Sequence, residues 1–385
     1  MTSKQSKKTQ GKKGGFFKRL LTLLAVLCAV LAVVVLTTME DGQHFAALRR
    51  WLMYGESTAT QDIYAYAADP ANLYSRLGDS LLVVSPNTAQ LLRDDGAILY
   101  SLQLNLESPQ LSVGTRQAAV CDVGGGTLYL LDQNGIQRTM KTERGLSYYA
   151  ARLNSGDYLA VTEQKGGYKA RVSVYSPAGA PVFHFDSYDN YISDAVVTED
   201  CRSVVMVSLE SYDGAFASKL LTYDLDSAER TGEHPIRDGL VMDLACHGDR
   251  VLALCDKRFS ITTLAGEPLL DRAYGNLYLH DYALGGDSFC ALLLGRYQAG
   301  NICTLTTYSL DGDELASMEL TEEVLDLSAA GEYLAVLYGD SLAVYDRTLT
   351  ERARLEGTDY AGQIQMGDDG TVLLISGTSA WRFLP

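Results

Sequence analysis

The stretch "SVYSPAGAPVFHF", Ser173 to Phe185, contains two alternating apolar runs joined by a short turn. The chain repeats this layout at "LTTYSLDGDELASMEL" (Leu305 to Leu320) and at "LAVYDRTLTERARLE" (Leu342 to Glu356). Alternation of apolar and polar residues around a short turn is typical of a β-hairpin. Because similar hairpins recur along the chain, the sequence predicts a repeat architecture.

Two elements recur from residue 62 onward. One is a turn followed by an apolar strand, as in "NSGDYLAV" and "AAGEYLAV"; the other is a strand that ends in a tight turn, as in "LLDQNG" and "YSLDG". Turns of the second kind end at positions 96, 135, 179, 227, 266, 312 and 350, a period of about 40 residues that is typical of β-propeller blades with four antiparallel strands. We count eight blades. One misread repeat would make seven, and a sandwich or two stacked β domains is the alternative fold.

The two ends of this repeat region complement each other. The last unit, "QIQMGDDGTVLLISGTSAWRFLP", stops after its third strand, whereas "DIYAYA", Asp62 to Ala67, is a strand without a blade. We predict that this N-terminal strand completes the last blade. The exchange closes the ring and removes an open sheet edge.

The N-terminal region predicts a membrane anchor. Residues 1–19 carry seven Lys and Arg and no acid, and residues 20–38 carry no charge. The uncharged run reaches about the 30 Å of a bilayer core. A buried core helix and a cleaved signal peptide are the alternatives, but no A-x-A site follows closely. We predict a transmembrane helix over 20–38, a cytoplasmic tail over 1–19, and an extracellular C-terminal domain in the cell membrane.

The segment between anchor and propeller, residues 39–61, is predicted to contain a juxtamembrane helix and a polar linker. Phe45 to Tyr54 continues the anchor helix, lies at the membrane interface or packs on the domain. The propeller itself is predicted over 62–385. Although the chain carries a net charge of -16, seven of its first 19 residues are basic and none is acidic, which favours contact of this tail with the lipid bilayer. The acidic remainder repels nucleic acid, so we predict no nucleic-acid partner.

The "GDYLAV" and "VYSPAG" repeat resembles the WD40-like and quinoprotein-like propellers. The whole layout is most similar to a clostridial-type family of unknown function with an N-terminal membrane anchor and an exported propeller. The chain departs from quinoprotein dehydrogenases, whose blades repeat a tryptophan motif, because its only tryptophans are Trp51 and Trp381. It also lacks the G-H and W-D dipeptides of WD40 blades. The resemblance therefore implies a fold and no catalytic residue or cofactor.

The two faces of a propeller carry different connections. We call the face with the strand 2–3 loops and the blade-to-blade links the loop face, and the face with the strand 1–2 and 3–4 turns the turn face. Long loops tend to carry function, and three 2–3 loops are expected to be long: Glu163–Arg171, Glu210–Lys219 and Gly295–Asn301.

Tyrosines are frequent in these loops and links. A tyrosine ring is apolar with a polar tip and therefore suits both protein and sugar contacts, although tyrosine is also an ordinary strand residue. The candidate binding residues, several of them expected at the mouth of the central channel, are Tyr148, Tyr149, Tyr168, Tyr188, Tyr191, Tyr212, Tyr274, Tyr278, Tyr297 and Tyr360.

Catalytic and metal-binding motifs are scarce. The sequence contains no G-x-S-x-G, H-E-x-x-H or P-loop, and His280 with Asp281 is the one His–Asp pair near the expected mouth. Neighbouring strand residues point to opposite sides, so we expect a surface histidine rather than a dyad. Acidic turns such as "LDGDE" do not match a calcium loop, and Asp is routine in turns. "GDDGT", Gly367 to Thr371, partly resembles the Asp-box of sialidase propellers but lacks the aromatic residue.

The six cysteines beyond the anchor show no metal-ligand spacing. Five of them stand in apolar runs, which favours burial as small hydrophobic residues.

Together these observations predict a non-catalytic protein-interaction scaffold in the cell envelope, without metal or cofactor. Its partner would be an envelope protein or a cell-wall glycan. The alternatives are a module that binds or senses a cell-wall polymer and an envelope enzyme that acts on sugars or quinone cofactors.

Overall fold

The computed structural model of the protein describes residues 61–384, with side chains from Tyr64 onward. The predicted tail, transmembrane helix and juxtamembrane segment lie outside the described residues, as does all of the linker except Gln61. In residues 61–384, no helix has the length and apolar character needed to cross a membrane. These residues form eight antiparallel sheets of four strands each, which confirms the prediction of an eight-bladed propeller.

The strands are numbered in chain order. β1 (Gln61–Ala65) comes first and belongs to the last blade. Blade 1 contains β2 (Leu73–Leu77), β3 (Ser80–Val84), β4 (Thr88–Leu92) and β5 (Ile98–Gln103), and blade 2 contains β6 (Pro109–Val113), β7 (Ala118–Asp122), β8 (Thr127–Asp132) and β9 (Gly135–Lys141). Blade 3 contains β10 (Tyr148–Leu153), β11 (Leu159–Glu163), β12 (Ala170–Tyr175) and β13 (Pro181–Ser187), and blade 4 contains β14 (Tyr191–Val197), β15 (Ser203–Tyr212), β16 (Ala215–Asp224) and β17 (Arg230–Ile236).

Blades 5 to 8 continue the same pattern. Blade 5 contains β18 (Val241–His247), β19 (Arg250–Cys255), β20 (Arg258–Thr263) and β21 (Pro268–Ala273), and blade 6 contains β22 (Tyr278–Ala283), β23 (Phe289–Gly295), β24 (Cys303–Ser309) and β25 (Glu314–Leu320). Blade 7 contains β26 (Val324–Ala330), β27 (Tyr333–Tyr338), β28 (Ser341–Asp346) and β29 (Glu351–Glu356). Blade 8 contains β30 (Gln363–Met366), β31 (Val372–Ile375) and β32 (Ser379–Phe383), with β1 as its outer strand.

Burial explains the composition of each strand position. Second strands such as β3 ("SLLVV") and β23 ("FCALLLG") are buried along their whole length, because both of their faces pack against neighbouring blades. Continuous apolar runs are expected for strands that are covered on both sides. Fourth strands such as β5 alternate or are largely exposed, because they form the outer edge. The core is accordingly a ring of apolar layers between blades.

The last blade closes the ring as the sequence predicted. β1 pairs antiparallel with β32, from Gln61 opposite Arg382 to Ala65 opposite Ser379. Tyr64 is 3% exposed and its hydroxyl accepts a hydrogen bond from the Arg382 guanidinium at 3.0 Å. On the inner side, the Gln365 amide donates to the Tyr74 carbonyl at 2.6 Å and so joins blade 8 to blade 1.

The connections differ from the expected lengths. Turn-face connections have 2 to 5 residues and loop-face connections 2 to 7, so length separates the faces only weakly. The segment predicted as a long loop over Glu210–Lys219 is instead an extension of β15 and β16, joined by Asp213 and Gly214. Both turn residues have positive φ, 49° and 82°, which matches a tight two-residue hairpin turn whose twist suits the flanking strands.

Candidate functional site

Large apolar and aromatic side chains are exposed in only two regions of the described chain. Some lie on the outer edges of the blades, as Ile98 and Val182 do. All the others lie on the loop face: Val123, Tyr188, Tyr191, Tyr212, Phe216, Met242, Tyr278, Tyr297, Ile302, Leu325 and Tyr360. Contiguous exposed apolar surface marks interaction sites more often than scattered residues do. The loop face is therefore the candidate binding surface.

Two of the predicted tyrosines do not belong to this surface. Tyr148 is 2% exposed and packs between blades 2 and 3 with Cys121 and Leu128. Tyr274 is 5% exposed and packs between blades 5 and 6 with Leu252. Burial raises the pKa of both phenols. Proximity to the start of a first strand was therefore a poor guide, because these rings turn toward a neighbouring blade rather than toward solvent.

Four other predicted tyrosines form two ring pairs at blades 3 and 4, and we call them the aromatic cluster. The rings of Tyr149 and Tyr191 pack edge to face with centroids 6.4 Å apart. The rings of Tyr168 and Tyr188 are 4.4 Å apart, and their hydroxyls are hydrogen-bonded at 3.2 Å. Lys169 places its ammonium 5.2 Å from the centroid of Tyr191. Such geometry is favourable for aromatic and cation–π contacts.

A cleft of about 320 Å³ opens beside the aromatic cluster, between blades 3 and 4. Aromatic residues line one part of it, with Phe185 and Tyr223 rings 5.0 Å apart. Charged side chains also line it. Among them, Asp186 is paired with Arg171 at 2.5 Å, and Lys219 is paired with Glu210 at 2.9 Å.

The remaining predicted tyrosines stand apart from one another. Tyr212 lies at the end of the extended hairpin beneath the Arg237 guanidinium, 4.9 Å from its ring. Tyr278 and Tyr297 are both exposed on blade 6. Tyr360, on blade 8, packs on Trp381 with ring centroids 4.3 Å apart.

The first strands of blades 3 to 7 each contain a β-bulge near the loop face, which sequence reasoning missed. The extra residues are Tyr149, Ser193, Met242, His280 and Leu325. Bulges re-aim side chains and are frequent next to functional sites. Here they present Met242, 55% exposed, and Leu325, 41% exposed, at the mouth of the channel.

The residue after the bulge is an aspartate in four successive blades. These channel aspartates are Asp194, Asp243, Asp281 and Asp326, and each accepts a hydrogen bond from the next backbone N–H. Asp326 also accepts from the Ile364 N–H of blade 8 at 2.6 Å. A recurring apolar–x–Asp–apolar pattern, as in "YISDA", "VMDL", "LHDY" and "VLDL", was the available sequence signal.

The channel aspartates differ in their charge partners. Blade 3 has Ala150 at this position, and Arg152 bridges Asp194 at 2.8 Å and Asp243 at 2.5 Å. Burial opposes the charge on Arg152, but the two carboxylates raise the pKa of its guanidinium. Neither Asp281 nor Asp326 has an ion pair within the described residues, and burial raises the pKa of each to about 6.

The one His–Asp pair expected near the mouth does not form a dyad. The exposed His280 ring lies 2.8 Å from the Tyr297 carbonyl, whereas Asp281 is in the channel. Across residues 61–384, no three His, Cys, Asp or Glu side chains converge as metal ligands. The cysteines of this range are free thiols, all buried except the partly exposed Cys201.

Comparison with known proteins places this architecture in a family. A family model described as a family of unknown function, DUF5711, matches residues 56–380. The chain belongs to this family. A search of curated protein sequences finds no match to this DUF5711 chain.

Solved structures share the fold of the DUF5711 chain at low sequence identity. BamB from Moraxella catarrhalis is similar with a TM-score of 0.54 and 11% identity, over 84% of this chain and 100% of BamB. The C-terminal WD40 domain of Sif2 is similar with a TM-score of 0.60 and 14% identity, over 86% of this chain and 100% of that domain. At such identities the likeness shows the β-propeller fold alone.

Proposed function

We propose that this protein is a membrane-anchored, non-catalytic scaffold whose loop face binds an envelope protein outside the cell. The observation that carries the proposal is the segregation of exposed apolar side chains. Apart from those on the outer blade edges, they all lie on the loop face within the described chain. Aromatic residues at a rigid surface are the usual anchors of protein interfaces.

The position of the chain entry supports this arrangement. Ala65 pairs with Ser379 beside a strand 2–3 loop, so Gln61, at the other end of β1, lies at the turn face. The chain therefore enters the propeller at the turn face, opposite the candidate binding surface.

Site-specific photo-crosslinking in intact cells tests the proposal. The full-length chain would carry a photoreactive phenylalanine analogue at Tyr188, Phe216 or Tyr278, and at Asp311 or Arg347 on the turn face as matched controls. We expect one adduct of discrete mass from the loop-face positions alone. Equal adducts from both faces, or none from the loop face, would contradict the scaffold. Labelling of a C-terminal tag on intact cells tests the location.

A carbohydrate ligand is the second candidate, and the cleft between blades 3 and 4 favours it. Aromatic rings beside fixed carboxylates and amides suit a sugar ring, which has an apolar face and polar edges. Binding of purified cell-wall fragments to the full-length chain, with loss in the Tyr223→Ala variant, would support this candidate. Binding that persists in that variant would exclude the cleft as the sugar site.

A further inference from the structure

The basic residues of the described chain are unevenly paired. Most Lys and Arg side chains are engaged with a carboxylate, as Arg171 is with Asp186. Six Lys and Arg side chains without an ion pair in the described chain lie at the loop face and its rim. They are Lys141, Arg144, Lys169, Arg237, Arg272 and Arg296. Outside this face, only Arg138 on an outer strand and Arg202 and Arg347 in turn-face connections share this property within residues 61–384.

This distribution runs against the overall charge. The protein has a net charge of -16, and most of its strand 1–2 turns carry an acid without a base. Acidic side chains are thus plentiful, yet the exposed Arg144 and Arg296 are not neutralised by one. Loop-face connections also carry acids without an ion pair, such as Asp189, Glu322 and Glu323, so these cations are local points of attraction for an anionic group rather than one continuous positive patch.

Two of these cations stand over half-exposed tyrosines. Lys169 is 5.2 Å from the Tyr191 ring and Arg237 is 4.9 Å from the Tyr212 ring, and the two tyrosines are 47% and 46% exposed. A cation held over a ring keeps its remaining donors available for a carboxylate. The same spot therefore offers an apolar surface and a positive charge side by side.

We propose that the loop face takes an acidic peptide segment of the partner protein, with apolar or aromatic side chains beside its carboxylates. This inference rests on the proposed scaffold function and deepens it. The carboxylates meet Lys169 and Arg237, and the apolar side chains cover exposed residues such as Phe216 and Met242, which are 77% and 55% exposed. A polyanion without apolar groups would leave those two residues uncovered, so the observations favour a peptide.

Selection from a random peptide display library against the purified full-length chain tests this inference. We expect enriched peptides to combine Asp or Glu with Phe, Tyr, Trp or Leu. For one enriched peptide, the double variant K169E/R237E should weaken binding roughly tenfold at about 50 mM salt. The difference should shrink at about 0.5 M salt, because exposed charges are screened. The matched control R202E/R347E reverses two such cations on the turn face and should leave binding unchanged.

The outcomes separate the two proposals. The enriched peptides could be apolar but not acidic, and their binding could be lost in Tyr191→Ala yet unaffected by K169E/R237E. That result would overturn the acidic character of the peptide and leave the scaffold proposal intact. A second set of results would replace the peptide with a polyanion or a membrane surface as the ligand. In that case sodium polyphosphate or anionic lipid vesicles would displace the peptide, and the Phe216→Ala variant would still bind whichever of these probes displaced it. If no peptide is enriched, the inference is overturned. If the loop-face photo-adduct is absent as well, the scaffold proposal also fails.

Discussion

Replacing Asp281 with Asn should stabilise the propeller at neutral pH. Burial raises the pKa of its carboxyl to about 6, from an ordinary value of 3.8. Because the folded state holds the proton more tightly, the free energy of unfolding falls as the pH rises from about 4 to 6 and stays lowered above that. A pKa shift of about two units, at about 1.4 kcal/mol per unit, sets an upper limit near 3 kcal/mol on the gain in the free energy of unfolding. Partial solvent access should reduce the gain to about 1–2 kcal/mol.

At position 281, asparagine removes the charge but keeps an oxygen for the backbone N–H of Tyr282. Asp326 is a poorer choice, because its two oxygens accept from the Leu327 and Ile364 N–H groups and an asparagine would serve only one of them. Urea unfolding of the purified full-length chain, followed by tryptophan fluorescence, should show the gain at pH 7.5, about half of it at pH 5, and about a fifth near pH 4. The control is Asp157→Asn, a buried carboxylate that accepts from the Arg116 and Gln117 backbone and the Arg116 guanidinium. It should destabilise by about 1–2 kcal/mol. Loss of stability in Asp281→Asn at pH 7.5, or a gain that does not change with pH, would refute the reasoning.

Four further substitutions test the placement of side chains, each by the same unfolding measurement. Tyr148→Ala should cost about 3–5 kcal/mol because it empties a packed site between blades, whereas Tyr191→Ala on the surface should stay within about 0.5 kcal/mol. Arg152→Gln should cost about 3 kcal/mol at pH 7.5 and less at pH 5, since it leaves two channel carboxylates without their cation. Tyr64→Ala should destabilise by about 3 kcal/mol, because it removes a buried ring at the closure and the hydroxyl that the Arg382 guanidinium contacts.

The fold was predictable because short-range patterns carry it. Each blade repeats apolar second and third strands with polar turns, and the missing outer strand of the last blade was visible as a gap at one end and a spare strand at the other. The error at Glu210–Lys219 has a physical reason: two strands that extend beyond the sheet lose the burial that makes a strand recognisable. Yet the Asp213–Gly214 pair was a hairpin signal in its own right.

The candidate site was less predictable because side-chain direction depends on the strand ladder. Tyr148 and Tyr149 are neighbours in sequence, but one is buried and the other lies at the bulge. The bulge follows from pairing with β11, which no local pattern specifies. The channel aspartates were within reach, because their pattern recurs at the same place in four blades, but only an alignment of the blades against one another would reveal it.

The bulges link the channel to the loop face. Each bulge interrupts the strand ladder, and Asp281 and Asp326 add the cost of a buried charge without an ion pair in the described chain. At position 281 an asparagine would satisfy the Tyr282 N–H without that charge, so folding alone does not explain this carboxylate. The bulges also place Met242, His280 and Leu325 at the mouth, where a regular strand would present different side chains. Proteins depart from local stability rules mainly at functional sites. The repeated departure at one end of these strands therefore supports the same surface that the exposed aromatic residues mark.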